Sequence, residues 1–126
     1  MSEKTVAQKL LFKAGYQVML INPPTGYESS LGLPPGVTVL TESSAPVDLV
    51  QVFVSSRKEL EEKLEKLKKL LKPSGLLWVS YPKGTSKIKA DINRDSINDY
   101  AHSIGLQGVA MVSIDDTWSA LRLKNI

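Results

Sequence analysis

The sequence predicts one three-layer α/β domain with five or six mostly parallel strands. Along the 126 residues, apolar runs typical of buried strands alternate with segments of helical periodicity. The connections between these runs are long enough for right-handed crossovers. Strands of a parallel sheet have near-continuous apolar sequences because helices cover both faces. We therefore expect residues 1–126 to form a single domain, closed by an antiparallel hairpin at its C-terminal end.

The first half of the chain predicts one helix and three strands. An amphipathic helix begins at Val6, continues through Lys13 and ends at Gly15, a residue suited to the left-handed conformation that terminates helices. The proline- and glycine-rich residues 22–35 predict a loop inside the domain. Strands are expected at Gln17–Ile21, Val37–Leu40 and Val47–Val54.

A helix with a marked start follows the third strand. Ser56 stands at the N-cap and Glu59 three residues later, which is the pattern of a capping box. Lys72–Gly75 predicts the end of the helix, because proline and glycine interrupt helical hydrogen bonding. Leucines recur at helical spacing and predict one apolar face, formed by Leu60, Leu64, Leu67, Leu70 and Leu71.

The C-terminal half predicts one more helix and three strands. Asp91–Ile104 has helical periodicity, and Gly105 follows as its C-terminal glycine. Asp115 and Asp116 lie between two apolar runs, as expected of a tight hairpin turn rather than of a metal site. The strands are expected at Leu76–Tyr81, Val109–Ile114 and Trp118–Leu123.

Composition excludes several classes of function. The chain has no cysteine and one histidine, so thiol chemistry and cysteine- or histidine-rich metal sites are excluded. That histidine, His102, lies within a predicted helix with no carboxylate placed to orient it, and no catalytic residue is predicted. No apolar stretch is long enough to span a membrane, and the N-terminus lacks a secretory pattern. We expect a cytoplasmic protein without a bound metal.

Four segments of the chain resemble elements of the S-adenosylmethionine-dependent methyltransferases. Val47–Val54, the leucine-rich helix and Leu76–Ser80 look like that family's fourth strand, its helix and the fifth strand, and the hairpin at Asp115–Leu121 is similar to its last two strands. The resemblance implies a Rossmann-like sheet of methyltransferase-like topology. The whole chain also resembles a small bacterial family of methyltransferase-like α/β domains without assigned function, through Asn22-Pro23-Pro24, Ser56-Arg57, Trp78–Lys83 and Trp118-Ser119.

The turn after the first strand departs from the methyltransferase pattern. Methyltransferases have a glycine-rich turn there because the backbone comes close to the cofactor. Here Pro23 and Pro24 lack backbone donors, and only Gly26 is free of a Cβ. Glu42, at the end of the second strand, is placed to meet ribose hydroxyls. We expect a non-catalytic domain without an S-adenosylmethionine cofactor; the alternative is a minimal methyltransferase that binds it.

The resemblance implies a ligand crevice between the first and third strands, where the strand order reverses. A helix N-terminus beside the Arg57 guanidinium suits a phosphate or carboxylate, so we expect a small anionic or nucleotide-like ligand. The alternative is that Ser56 only caps its helix while Arg57 lies in solvent. The predicted ligand-binding residues are Asn22, Thr25, Gly26, Glu42, Ser55, Ser56, Arg57, Tyr81 and Lys83.

Charge and topology bear on two kinds of macromolecular partner, nucleic acid and protein. Basic residues crowd the loop that begins at Lys83, but Tyr81 is the only nearby aromatic residue, so we expect a solvated loop and no nucleic-acid partner. A third functional hypothesis is a protein-interaction module that uses the closing hairpin as an exposed edge. A homodimer is one form of this hypothesis.

Overall fold

The computed structural model describes residues 6–30, 32–40, 46–83, 91–115 and 117–125. Within these ranges no helix is long and apolar enough to cross a membrane. The predicted site residue Glu42 and the basic-loop residues Lys87 and Lys89 lie outside them. The described elements, in chain order, are α1 (Val6–Lys9), β1 (Gln17–Ile21), α2 (Tyr27–Ser30), β2 (Thr38–Leu40), β3 (Val47–Phe53), α3 (Arg57–Lys69), β4 (Leu71–Pro82), α4 (Arg94–Ser103), β5 (Leu106–Ser113) and β6 (Trp118–Asn125).

The described strands form one six-stranded sheet in the order β2-β1-β3-β4-β6-β5. β2, β1, β3 and β4 run parallel to one another. β6 runs antiparallel to both β4 and β5. The predicted class is confirmed: a mostly parallel α/β sheet that ends in an antiparallel hairpin.

Each face of the sheet has its own apolar core, which makes the three predicted layers. α3 and α4 cover one face, where Leu64 and Ile97 pack with Val50 and Val79. The other face is covered by residues 6–12 and α2, and its buried side chains include Leu10, Phe12, Tyr27, Phe53 and Trp78. The indole N–H of Trp78 donates to the Leu10 carbonyl at 2.9 Å, so the N-terminal segment is bonded to the sheet as well as packed on it.

The first helix is shorter than predicted. α1 ends at Lys9, and the left-handed residue that terminates it is Leu11, with φ of 67°; Gly15 is left-handed too, with φ of 80°, but it lies in the turn before β1. The N–H groups of Leu11 and Phe12 donate to the carbonyls of Gln8 and Ala7, which is a Schellman ending. The physical reason is that Leu10 and Phe12 are both buried. A helix would point residues two apart to different sides, so the chain leaves the helix to bury both.

The start of α3 is close to the prediction, and its end is not. Ser56 Oγ accepts the Glu59 N–H at 3.2 Å, but the Glu59 carboxylate accepts from the Ser55 N–H at 3.3 Å, one residue before the N-cap. The helix ends at Lys69, and Leu71 already belongs to β4, where it pairs with Val47. The predicted helix end at residues 72–75 is therefore an irregular part of a strand.

Two further boundaries differ from the sequence prediction. Residues 27–30, expected in a loop, form the short helix α2. α4 begins at Arg94 because Asn93 and Ser96 bond each other reciprocally at 2.9 Å, whereas Asp91 accepts the N–H of Arg57. The helix ends as predicted, with Gly105 at φ of 84°.

The closing hairpin has the predicted turn and a longer first strand. β5 begins at Leu106, three residues before the predicted start, and pairs with β6. Asp115 Oδ1 accepts from the N–H groups of Thr117 and Trp118 at 2.8 Å, which is the backbone role expected of a turn aspartate. Its neighbour Asp116 lies outside the described residues.

Candidate functional site

The strand order reverses beside β1, which lies between β2 and β3. In open parallel sheets, ligands bind beyond the carboxyl ends of the strands at such a point. Ile21 and Val52 are paired at the end of β1, so the segments that begin with Asn22 and Val54 leave the sheet at the same edge. The resemblance implies a ligand crevice at this edge.

The turn after β1 is tight and its backbone is accessible. Asn22 has φ of 56° and Gly26 has φ of 79°, both left-handed. The Tyr27 N–H donates to the Pro24 carbonyl at 3.0 Å and closes the turn at the start of α2. A Cβ built on Gly26 would meet no atom within 4 Å. A ligand can therefore come close to the backbone at this glycine.

A pocket of about 460 Å³ lies beside this turn, and we call it the first-strand pocket. Its lining residues are Pro23, Pro24, Gly26, Tyr27, Glu28 and Leu33. The volume lies within the range of small-molecule sites, roughly 300–1,000 Å³. Glu28 is the one charged residue of this lining, and the side chains around it are mainly apolar.

A buried polar chain connects this pocket to the sheet. The Tyr27 hydroxyl donates to Gln51 Oε1 at 2.8 Å, and Gln51 Nε2 donates to Ser80 Oγ at 2.9 Å. The Tyr27 ring meets Phe53 edge to face, with centroids 4.7 Å apart. Burial raises the pKa of the Tyr27 hydroxyl well above its usual value of about 10. Tyr27 is thus a neutral anchor that holds α2 on β3.

The predicted anion-binding groups at the start of α3 have partners within the protein. Asp91 Oδ1 accepts the Arg57 N–H at 2.7 Å, and Glu61 accepts from Arg57 Nε at 2.8 Å. The Glu59 carboxylate also accepts from the hydroxyls of Ser55 and Ser56, at 3.1 and 3.3 Å. Carboxylates of the chain itself therefore lie where a ligand anion was predicted.

Tyr81 and Lys83, at the end of β4, lie on another part of the surface. An open groove of about 340 Å³ is lined there by Tyr81, Asn93, Arg94, Asp95 and Met111, and we call it the β5 groove. The Tyr81 hydroxyl lies 3.1 Å from the sulfur of Met111, and burial raises its pKa. Lys83 Nζ donates to Ser113 Oγ at 2.6 Å.

The predicted rim residues therefore fall into three groups. Gly26 lines the first-strand pocket, and Asn22 and Thr25 are exposed on the same turn. Ser55, Ser56 and Arg57 are gathered around Glu59, Glu61 and Asp91. Tyr81 lines the β5 groove, and Lys83 is bonded beside it.

Neither a protein-family model nor a curated protein matches this sequence, whereas solved structures match the fold. Ribosomal protein L11 methylase from Lactobacillus delbrueckii subsp. bulgaricus has a TM-score of 0.62 and 11% identity, over 94% of this chain and 73% of that one. A methyltransferase from Thiobacillus denitrificans, in complex with S-adenosyl-L-homocysteine, has a TM-score of 0.60 and 11% identity, over 95% of this chain and 89% of that one. A TehB-like methyltransferase from Corynebacterium glutamicum has a TM-score of 0.58 and 10% identity, over 94% of this chain and 85% of that one. This chain has the fold of the S-adenosylmethionine-dependent methyltransferases.

The ligand-binding residues predicted from the sequence omit seven residues of the pocket and of the polar chain beside it: Pro23, Pro24, Tyr27, Glu28, Leu33, Gln51 and Ser80. Glu28 and Leu33 lie in the stretch interpreted as a loop, so no periodicity marked them. Gln51 and Ser80 are buried on neighbouring strands. Gln51 did carry a signal, because a glutamine inside the apolar run Val47–Val54 needs a hydrogen-bonding partner when both faces of the strand are covered.

Proposed function

We propose that this methyltransferase-like domain binds a nucleotide-like ligand of the adenosyl class in the first-strand pocket and does not transfer a methyl group. The first-strand pocket itself is the observation that carries the proposal: it opens beside the turn after β1, at the edge where strand order reverses. Methyltransferases of this fold include one solved with S-adenosyl-L-homocysteine.

The lining of the pocket suits the nucleoside part of such a ligand. Pro23, Pro24 and Leu33 supply apolar surface for a flat base. The exposed carboxylate of Glu28 can accept hydrogen bonds from ribose hydroxyls, and such charge-assisted bonds are the stronger kind. Gly26 leaves space for the ligand against the backbone.

We also propose that an anion binds at Arg57 and Lys83, which lie apart from the first-strand pocket. It would compete with Glu61 for the Arg57 guanidinium and with Ser113 for the Lys83 ammonium. Pro23 and Pro24 offer no backbone N–H to a phosphate. We therefore expect the adenosyl group to contribute more binding free energy than the charge does.

The absence of catalysis is inferred from the groups beside the pocket. Proton removal from a methyl acceptor needs a base that ionises near neutral pH. The Tyr27 hydroxyl does not meet this need, because it is neutral, buried and bonded to Gln51. Glu28 is the remaining ionisable group of the lining, and in this proposal its carboxylate accepts hydrogen bonds from the ligand's ribose and does not act as the base.

Isothermal titration with S-adenosyl-L-homocysteine, S-adenosylmethionine, adenosine and inorganic phosphate tests the binding. Glu28→Gln should weaken the adenosyl ligands about tenfold, the lower end of the roughly 1.5–3 kcal/mol that a hydrogen bond to a charged group contributes, because the glutamine amide oxygen still accepts a hydrogen bond. Glu62→Gln, on the exposed side of α3, is the matched control and should bind as the parent does. No heat from any adenosyl compound, or equal affinities for Glu28→Gln and the parent, would show the pocket assignment to be wrong.

Two further measurements separate the parts of the proposal. An Arg57→Ala, Lys83→Ala double variant should bind inorganic phosphate more weakly and adenosine as the parent does. Unchanged binding of every ligand would show that the proposed anion binding at these two residues is wrong. Methyl-labelled S-adenosylmethionine, incubated with protein, RNA and small-molecule fractions of a bacterial extract, should give no label transfer above the protein-free rate. Transfer that is lost in Glu28→Gln would instead establish the minimal methyltransferase.

A further inference from the structure

β5 is an edge strand of the described sheet, and it combines exposed apolar side chains with a lack of charged residues. Within the described residues the large exposed apolar side chains are Leu11, Val109 and Met111, and two of these lie on β5. No charged residue occurs between Leu106 and Ser113. Edge strands of monomeric proteins are commonly protected by charged side chains, proline or bulges. An uncharged edge with exposed apolar residues is typical of a surface that pairs with another strand.

The first half of β5 is protected and the second half is open. The register with β6 shifts between Gly108 and Ala110, which marks a bulge. At that bulge the Gly108 N–H donates to Asn98 Oδ1 of α4 at 2.8 Å. Beyond it, Ala110–Ser113 pairs regularly with β6 on its inner side. Residues 109–113 therefore form the part of the edge where a further strand can add.

We propose that a second copy of this chain adds to this edge, with residues 109–113 of the two copies paired antiparallel about a two-fold axis near Met111. The axis is perpendicular to the sheet, so the two sheets become continuous and both α3–α4 layers lie on the same side. Each edge then supplies the backbone donors and acceptors that the other needs.

Charge complementarity near the axis favours a second copy over an unrelated strand. Met111 lines the β5 groove together with Arg94 and Asp95 of α4, so these residues lie close to the axis. Both charged side chains are exposed, and their own contact is long, at 3.6 Å. A two-fold axis brings Arg94 of each copy toward Asp95 of the other, which gives two ion pairs of the same kind. The exposed Met111 side chains of the two copies then meet at the axis, beside both β5 grooves.

Sedimentation equilibrium of the whole chain over a range of concentrations tests the proposal. The parent should sediment at twice its mass of 13.8 kDa. Met111→Lys should sediment as a monomer, because it places two ammonium groups together at the axis. Leu11→Lys is the matched control, since Leu11 is 45% exposed and Met111 49%, and it should remain a dimer.

A charge reversal keeps the test independent of any folding defect. Arg94→Asp places an acid in the first turn of α4, which favours the helix, but opposes carboxylates across the axis and should weaken the dimer at least tenfold. Adding Asp95→Arg should restore the parent affinity. A monomeric parent at the highest concentration overturns the proposal, as does a Met111→Lys variant that dimerises like the parent. If Arg94→Asp forms a dimer with the parent affinity, the proposed arrangement about Met111 is wrong.

Discussion

Replacing Tyr27 by phenylalanine removes one hydroxyl from the buried polar chain that joins α2 to the sheet. That hydroxyl donates to Gln51 Oε1 at 2.8 Å. Tyr27 is 6% exposed and Gln51 is fully buried, so water does not replace the lost donor easily. The ring itself stays, with its edge-to-face contact to Phe53, and the substitution therefore tests the hydrogen bond rather than the packing.

The expected loss follows from the acceptor that is left behind. A buried polar group without its partner destabilises a protein by about 1–3 kcal/mol. A domain of this size has a free energy of unfolding of roughly 5–15 kcal/mol, so the loss is a substantial fraction. It corresponds to a fall in Tm of about 3–15 °C, using values between those of smaller and larger domains.

Urea denaturation followed by circular dichroism measures this loss. Tyr100→Phe is the matched control, because the Tyr100 hydroxyl makes an exposed bond of 3.3 Å to the Glu61 carbonyl and its removal should change stability by less than about 0.5 kcal/mol. A double-mutant cycle with Gln51→Leu should show strong non-additivity, because Tyr27→Phe leaves no buried acceptor without its donor once Gln51 has been replaced. A loss below about 0.5 kcal/mol for Tyr27→Phe, or additive losses in the cycle, would refute the reasoning.

Three further predictions concern pH and backbone strain. The raised pKa of Tyr27 means that its stabilisation is complete below about pH 10 and declines as the pH rises above it, because the unfolded state ionises first; Tyr27→Phe should lessen the decline in alkaline urea titrations. The Gln17 N–H and then Lys72 lower the pKa of Asp48, so its contribution is present above about pH 4 and lost below it, and Asp48→Asn should flatten the acid limb of the stability profile. Leu11→Gly should stabilise by up to about 1 kcal/mol in thermal melts, because Leu11 has φ of 67° and glycine adopts that conformation without strain; a lower Tm would contradict it.

Much of the fold could be predicted from local patterns. β1 has the predicted bounds, Gln17–Ile21, because an apolar run ended by two prolines leaves little choice. The start of α3 and the glycine after α4 were equally predictable, since capping depends on neighbouring residues. The methyltransferase-like topology followed from the order of elements, and the solved structures confirm it.

Helix ends were less predictable, because burial decides them. The leucine spacing continues through Leu71, yet Leu71 extends β4 because Val47 lies opposite it in the sheet. In the same way, Leu11 rather than Gly15 ends α1 because its neighbours Leu10 and Phe12 both turn into the core. A periodic pattern records which residues are apolar, but not which surface will cover them.

The sequence alone determined the class, the strand order by resemblance and the turn beside which the first-strand pocket lies. Only the tertiary structure decided which side chains contact one another. Asp91 and Glu61 lie beside Arg57, and Tyr27, Gln51 and Ser80 form one chain of hydrogen bonds, although they come from distant parts of the sequence. The physical reason is that hydrogen bonds and ion pairs form between groups that the packing of sheet and helices brings within about 3 Å, and that packing depends on the whole apolar core rather than on any local motif.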